Sequence, residues 1–403
     1  MKLLILSQYF NPENFIINDI VRTLLAQGHE VVVATGKPNY PDGRVYPGYR
    51  AWGCQHERYL GTVDVLRVPL WPRGKGDAKN MLLNYLSFAG AGLLFFPWLL
   101  RGREFDAILV YAPSPITQAI PAILLKWLKK ARLSVWVQDL WPESLAATGF
   151  VKNRYLLRMT GWLVRGIYAC SDQLLVQSHA FIESVATYAA RRKIVYYPNS
   201  VDVQSPQESK PIPGELVSVL EKHFCVVFTG NLGTAQALDT LVQAARQLRD
   251  NDDIRLVLVG SGSRLDWLRE QKQIHQLSNL VLPGRFPVES MSEIFTRSSA
   301  LLVSLNDEDI FAQTIPSKIQ AYLAAGKPII ACLNGEGARV VQEAGAGLSC
   351  PAEQVPALVT AIRRMQSLSE LERATMGRSG REYFEQNFEM TRQIRRLVEL
   401  LQK

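Results

Sequence analysis

Short apolar runs with β-branched residues recur along the chain, each followed by a longer stretch of helical spacing. In the first half they are Leu3 to Leu6, Glu30 to Ala34, Ala107 to Tyr111, Leu133 to Val137 and Ile194 to Tyr197. Runs so short and apolar read as buried strands, and the stretches between them as crossover helices. The second half repeats the plan with Cys225 to Phe228, Arg255 to Val259, Leu280 to Leu282, Ala300 to Val303 and Pro328 to Ala331. The alternation predicts βαβ units, and so an α/β protein of two Rossmann-like, doubly wound parallel-sheet domains facing a central cleft. A polar, Pro-rich stretch from Tyr197 through Pro206 to Gly214 separates them. The predicted domains are residues 1–200 and 201–385, with a final helix in 386–403 packing back on the first.

Met81 to Leu100 breaks this rhythm with 20 uncharged residues, preceded by Arg73, Lys75 and Lys79 and followed by Arg101 and Arg103. That length could span a bilayer. Asn84, Ser87, the run Ala89 to Gly92 and Pro97 weaken a span, and a core strand follows directly. The segment is therefore expected either to lie in a membrane interface with Trp98 as an anchor or to pack as a buried crossover helix.

Charge sharpens the choice. Of a net +8 over 403 residues, residues 1–200 hold 23 Lys and Arg against 13 acids, and the remainder 22 against 24. The asymmetry gives the first half an anionic partner, with nucleic acid, a phosphorylated ligand and a lipid surface all open, against the plainer reading of a solubilising face. Five scattered cysteines without a C-x-x-C pair argue against a disulfide framework or a zinc site, and for a reducing compartment. Only five apolar or small residues separate Lys2 from Gln8, too few for a signal-peptide core, so the chain is expected to be cytoplasmic and peripheral on the membrane.

The candidate chemistry falls just after predicted strands, where open α/β sheets bind their ligands. Gly230, Asn231 and Gly233 form a loop ahead of a helix, where backbone N–H groups could meet a phosphate; a tight turn would use the same letters. Gly260 and Gly262 repeat the pattern, and Arg264 follows as a diphosphate clamp or as an exposed first-turn cation. Pro316 opens a helix whose first turn carries Ser317 and Lys318, placing free backbone donors and an ammonium at one point, unless the lysine is merely solvated. Asp139 ends a buried strand among Trp136, Leu140 and Trp141, with Glu143 close behind. A carboxylate there could orient a sugar hydroxyl or take its proton, or could simply cap the next helix.

Five strings, SQYFNPENFIIND, VQDLWPES, YYPNSVD, FTGNLGTAQALDTL and IPSKIQAYLAAGKPIIA, occur in order. Together they resemble the retaining family four glycosyltransferases of GT-B architecture, specifically the WbuB-type enzymes of O-antigen and capsule clusters associated with N-acetyl-L-fucosamine transfer. The resemblance implies a UDP-sugar donor in the second domain, no cofactor and no catalytic metal. By position it implies phosphate contacts at Gly230 and Asn231, diphosphate neutralisation by Arg264 and Lys318, and Asp139 facing the reacting sugar. The loop carrying Asn11, Glu13, Asn14 and Asn18 would border the acceptor. Two departures stand out. The family's paired acids, with seven residues between them, fall on Gln313 and Ala321, leaving the ribose contact open to Glu336 as a substitute, and the first loop carries Pro12-Glu13 where Gly-Gly is frequent.

The expected function is transfer of a sugar from UDP to a polyprenyl-diphosphate-linked saccharide at the inner face of the cytoplasmic membrane, reached through the basic half and Met81 to Leu100. The alternatives are a UDP-sugar 2-epimerase on the same architecture and, less well supported for want of any recognised motif, a nucleic-acid-binding protein.

Overall fold

The computed structural model describes residues 1–147, 151, 153–202 and 210–403; Lys152 and the Gln204-Ser205-Pro206 part of the predicted boundary lie outside them. The chain divides into two compact units, Met1–Asn199 with Met390–Lys403, and Ser200–Glu389. The chain returns to the first unit a few residues later than the predicted 386. The cause is local: Phe384 and Phe388 are fully buried in the second unit's core, so the chain leaves only after them.

The first unit holds eight strands in the order β3-β4-β2-β1-β5-β6-β7-β8. They are β1 (Lys2–Leu6), β2 (Glu30–Thr35), β3 (Gln55–Tyr59), β4 (Val63–Arg67), β5 (Ala107–Ala112), β6 (Arg132–Val137), β7 (Gln173–Val176) and β8 (Ile194–Tyr196). All neighbours are parallel except β3 and β4. The helices are α1 (Ile16–Ala26), α2 (Ala78–Leu99), α3 (Ile120–Lys129), α4 (Glu143–Ala147), α5 (Arg154–Cys170) and α6 (His179–Ala186). One face of the sheet packs against α2, α3, α5 and α6, and the other against α1 and the closing helix Met390–Gln402. That last helix is tied down by Tyr197, whose hydroxyl donates to the Gln393 carbonyl at 3.2 Å.

Helix α2 is the uncharged segment. Its capping residue Asp77 accepts from the Asn80 N–H at 3.0 Å. Asn84, Phe88, Gly92 and Phe96, spaced four apart, form its buried stripe. A Cβ on Gly92 would stand 2.6 Å from the Pro121 ring of α3, so the missing side chain permits the close approach. Mean hydropathy reaches 1.4 over an 18-residue window, of which a third is buried, so by composition the helix could cross a membrane. Packed along the sheet through that stripe, it could not be surrounded by lipid without leaving the core.

The second unit is a fully parallel sheet in the order β11-β10-β9-β12-β13-β14. Its strands are β9 (Phe224–Asn231), β10 (Ile254–Ser261), β11 (Leu280–Gly284), β12 (Ala300–Ser304), β13 (Ile329–Cys332) and β14 (Gly347–Cys350). The strand order reverses between β9 and β12, the switch point of a Rossmann sheet. The helices are α7 (Gly214–Lys222), α8 (Leu238–Gln247), α9 (Leu265–Ile274), α10 (Met291–Arg297), α11 (Asp309–Ala312), α12 (Ser317–Ala325), α13 (Glu336–Glu343), α14 (Val355–Ser367) and α15 (Glu370–Asn387). Side chains of α8, α9 and α14 cover one face, and those of α7, α10, α12, α13 and α15 the other.

The two longest strands of this sheet, β9 and β10, run in register to Gly230 opposite Gly260. Gly260 has φ +154, and a Cβ there would lie 1.8 Å from the Gly230 carbonyl oxygen. Gly260→Ala should therefore destabilise the unit by about 2 to 5 kcal/mol, combining backbone strain with overpacking. Chemical denaturation of the variant measures this directly.

Candidate functional site

A cavity of about 790 Å³ opens in the second unit at the carboxyl ends of β9, β10 and β11. Gly230, Asn231, Gly260 and Ser261 line it, so the floor is backbone with little side chain above it. The first turn of α12 brings Ser317 and Lys318 to the same wall. Tyr322, one turn beyond Lys318 on the same face, anchors this helix: its hydroxyl accepts from the Thr229 N–H at 3.0 Å. The helix start, with its partial positive charge, thus points at the glycine floor.

Lys318 is the electrostatic centre of the cavity. Its Nζ lies 3.9 Å from the Phe228 ring centroid and donates to Gln236 Oε1 at 2.6 Å. A Cβ on Gly230 would press within 2.9 Å of its Cε. Among the described residues no carboxylate pairs with it. Burial without a counter-charge pulls the ammonium down from its ordinary 10.5 to about 7. An anion entering the cavity would supply the missing charge. Arg285, just past β11, adds a second cation, while Phe286, Met291 and Phe295 make the remaining wall apolar.

Sequence reasoning placed Gly230, Asn231, Gly260, Ser317 and Lys318 together, and the fold brings all five to this cavity. Arg264 does not line this cavity: its guanidinium is paired with Asp239 of α8 and lies 3.7 Å from the Trp267 ring centroid. Nor does Glu336. Buried at the start of α13, it is paired with Arg339 at 3.1 Å and is absent from the cavity wall, whereas Ala321 forms part of it. Gly233 and Gly262 serve packing: a Cβ on Gly262 would meet the Leu232 carbonyl oxygen at 2.4 Å, and one on Gly233 the Asn231 amide at 2.7 Å. Arg285 was missed, although the rule that found the others, a polar residue directly after a strand, applies equally to it.

In the first unit, Asp139 follows β6 and accepts from the Trp141 indole N–H at 3.2 Å; the same N–H meets Ser114 Oγ at 3.1 Å. Glu143 is exposed at the start of α4 and accepts from the Tyr188 hydroxyl at 2.9 Å. The loop after β1 uses its polar residues largely on itself. Glu13, 1% exposed, accepts from the N–H groups of Phe10, Asn39 and Tyr40. Burial still pushes its carboxyl up to about 7. Asn18 bridges the Glu13 carbonyl and the Asn11 N–H. Asn14 alone of the four is exposed.

Comparison with known proteins places these features in a family context. Residues 14–200 match the family described as a glycosyl transferase 4-like domain, and residues 223–367 that described as glycosyl transferases group 1. The chain is 24% identical over 359 residues to the putative colanic acid biosynthesis glycosyl transferase WcaI of Escherichia coli K12, covering 81% of this chain and 82% of that one. Its fold is similar to that of a sucrose-phosphate synthase from Thermosynechococcus elongatus, at TM-score 0.70 and 15% identity over 99% and 97% of the two chains. It is also similar to Anabaena HepE, solved in complex with UDP, at TM-score 0.65 and 12% identity over 100% and 99%.

The shifted lysine has a stability consequence. Between about pH 7 and 10.5 the unfolded chain carries a proton on Lys318 that the folded chain lacks, so folding is favoured as pH rises through that window and the charged lysine is a burden below it. Lys318→Met removes the burden. Its melting temperature should exceed that of the parent most clearly at about pH 6, with the gap narrowing toward about pH 10; thermal unfolding across that range tests the sign.

Proposed function

The chain belongs to the group 1 glycosyltransferases, with the two Rossmann-like domains of the GT-B type, and on that premise we propose that it is a retaining enzyme. It moves a sugar, N-acetyl-L-fucosamine, from UDP to a polyprenyl-diphosphate-linked saccharide in the assembly of a bacterial surface polysaccharide, O-antigen or capsule. The observation that carries the donor half is the ammonium of Lys318, without a carboxylate partner among the described residues, beside the Gly230 and Gly260 floor. A nucleoside diphosphate fits that arrangement: backbone N–H groups and a helix start receive the phosphates, and Lys318 with Arg285 meets the charge that develops as UDP leaves. No metal is needed for that role. Asp139 receives the acceptor hydroxyl, orienting it or taking its proton as the oxygen bonds to the anomeric carbon and the sugar–phosphate bond breaks.

A lipid-linked acceptor must be met at a membrane, and the first unit has a surface suited to it. Helices α2, α3 and α5 lie in one layer over the sheet, and together they carry six Lys and Arg residues and no acid. Their outer faces expose Leu82, Leu94 and Trp98 on α2, Trp127 on α3, and Tyr155 and Trp162 on α5, each more than half accessible. Aromatic and aliphatic side chains rimmed by bases are the composition of an interfacial surface, and each base near anionic lipid contributes about 1 kcal/mol. The membrane contact therefore reaches beyond Met81 to Leu100 onto α5.

Purified protein is expected to release UDP from one UDP-sugar only when a polyprenyl-diphosphate-GlcNAc acceptor is present, with one sugar added to the lipid by mass. Interconversion of a free UDP-sugar without acceptor would instead make it an epimerase. Asp139→Asn should cut turnover about 100-fold or more while leaving the melting temperature nearly unchanged; near-normal turnover would return Asp139 to a structural role. The double variant Arg154→Glu, Arg158→Glu should lose most of its co-sedimentation with phosphatidylglycerol vesicles, and undiminished sedimentation would refute the membrane surface.

A further inference from the structure

Arg73 lies in the turn that leads into α2, half-buried, and its guanidinium is enclosed by aromatic rings. Its Cζ is 5.1 Å from the Tyr40 ring centroid and 5.9 Å from that of Tyr9. Tyr9 in turn stacks on Phe15 at 5.1 Å, and Phe15 meets Tyr40 at 5.2 Å, so the three rings form one wall. The turn is held rigidly, with the Arg73 N–H donating to Asn39 Oδ1 at 3.1 Å. The side chain itself makes only weak polar contacts, to the Tyr9 hydroxyl at 3.4 Å and the Met81 sulfur at 3.2 Å. Among the described residues no carboxylate pairs with it. A guanidinium has five donors in a planar fork suited to phosphate oxygens, and here most of them are unspent.

Two neighbours give this cation a direction. On one side stand exposed aromatic residues of the adjoining loops: Tyr40 at 38% against the guanidinium itself, Trp71 at 41%, whose indole donates to Asn80 of α2 at 2.8 Å, and Trp52 at 69%, 6.5 Å from the Trp71 ring. On the other side, Met81 under the guanidinium is followed one turn later on α2 by Tyr85, whose ring is 6.1 Å from that of Trp141. The indole N–H of Trp141 is the group that holds Asp139. Arg73 thus stands between these exposed aromatic residues and the Tyr85–Trp141 pair that leads to the carboxylate at the end of β6.

We infer that Arg73, walled by Tyr9 and Tyr40, binds the diphosphate of a prenyl diphosphate ester, with the apolar chain leaving over Trp71 and α2 and the attached sugar extending toward Asp139. This rests on the transferase reading for the sugar, but the recognised chemistry, a diphosphate joined to an apolar chain, is independent of it. A bare anion would satisfy the guanidinium and leave the exposed aromatics unused, whereas an apolar chain alone would leave the cation without a partner.

Farnesyl diphosphate is a soluble probe of that chemistry, and its binding by titration calorimetry reads the site directly, with binding of UDP as the control for an intact second unit. Arg73→Gln should weaken farnesyl diphosphate at least about tenfold, the loss expected for charge-assisted hydrogen bonds, and leave UDP unchanged. Inorganic pyrophosphate should bind the parent more weakly than farnesyl diphosphate by a similar factor. Hydrogen exchange on the parent protein adds a readout that needs no variant: the turn before α2 should become protected when farnesyl diphosphate is added. Undiminished binding by Arg73→Gln, equal binding of pyrophosphate, or an unprotected turn would each overturn the assignment. Loss of sugar transfer with farnesyl diphosphate binding intact would instead overturn the transferase reading and leave the site standing.

Discussion

The close approach of Gly260 to the Gly230 carbonyl is the constraint on which the cavity of the second unit depends. Two strands that pair glycine with glycine one residue before their ends leave bare backbone at that point, and the missing side chain of Gly230 makes room for that of Lys318. Tyr322 fixes the opposite wall by bonding to Thr229, the residue immediately before Gly230. Floor, ammonium and helix start are thus set by a few contacts around the end of β9. The cost is a lysine buried without a counter-charge, tolerable where a ligand brings the charge with it.

The first unit shows the complementary economy. Many of its polar residues near the carboxyl edge are consumed in holding loops: Glu13 takes three backbone N–H groups, and buried Arg67 donates to the Gly36 carbonyl at 2.9 Å. Among the described residues, Asp139, with an indole N–H as its hydrogen-bond partner, and Arg73 are less engaged. Both lie beside α2, whose inner stripe belongs to the core and whose outer face is apolar and exposed. One helix therefore connects core packing, the proposed lipid contact and the proposed acceptor site.

Much of the fold was legible in the sequence because parallel strands buried on both faces read as continuous apolar runs. The strands that escaped were β3, β4, β7 and β14. β3 is the polar edge strand QHERY, β4 the charge-bearing VDVLR, β7 only four residues between helices and β14 the short GLSC, so their strand character comes from pairing with a neighbour. Met81 to Leu100 was ambiguous for a related reason. A helix half in the core and half exposed has the composition of a membrane span, and only the stripe from Asn84 to Phe96 reveals which side faces the sheet.

What the sequence determined by itself was the architecture and the residues that gather at one cavity, because glycine, proline and charge at strand ends and helix starts have local causes that need no tertiary context. Gly230, Gly260 and Lys318 are readable on those grounds. Which cation serves the cavity was decided only by the tertiary structure. Arg264 and Arg285 both follow strands of the second sheet, and the sequence reading named Arg264 and passed over Arg285; in the fold Arg264 pairs with Asp239 and lies on the Trp267 ring, while Arg285 lines the cavity. Arg73 looked like one flanking base among several until the fold closed two tyrosine rings around it. A charge acts through whatever stands within a few ångströms of it, and those neighbours come from distant parts of the chain.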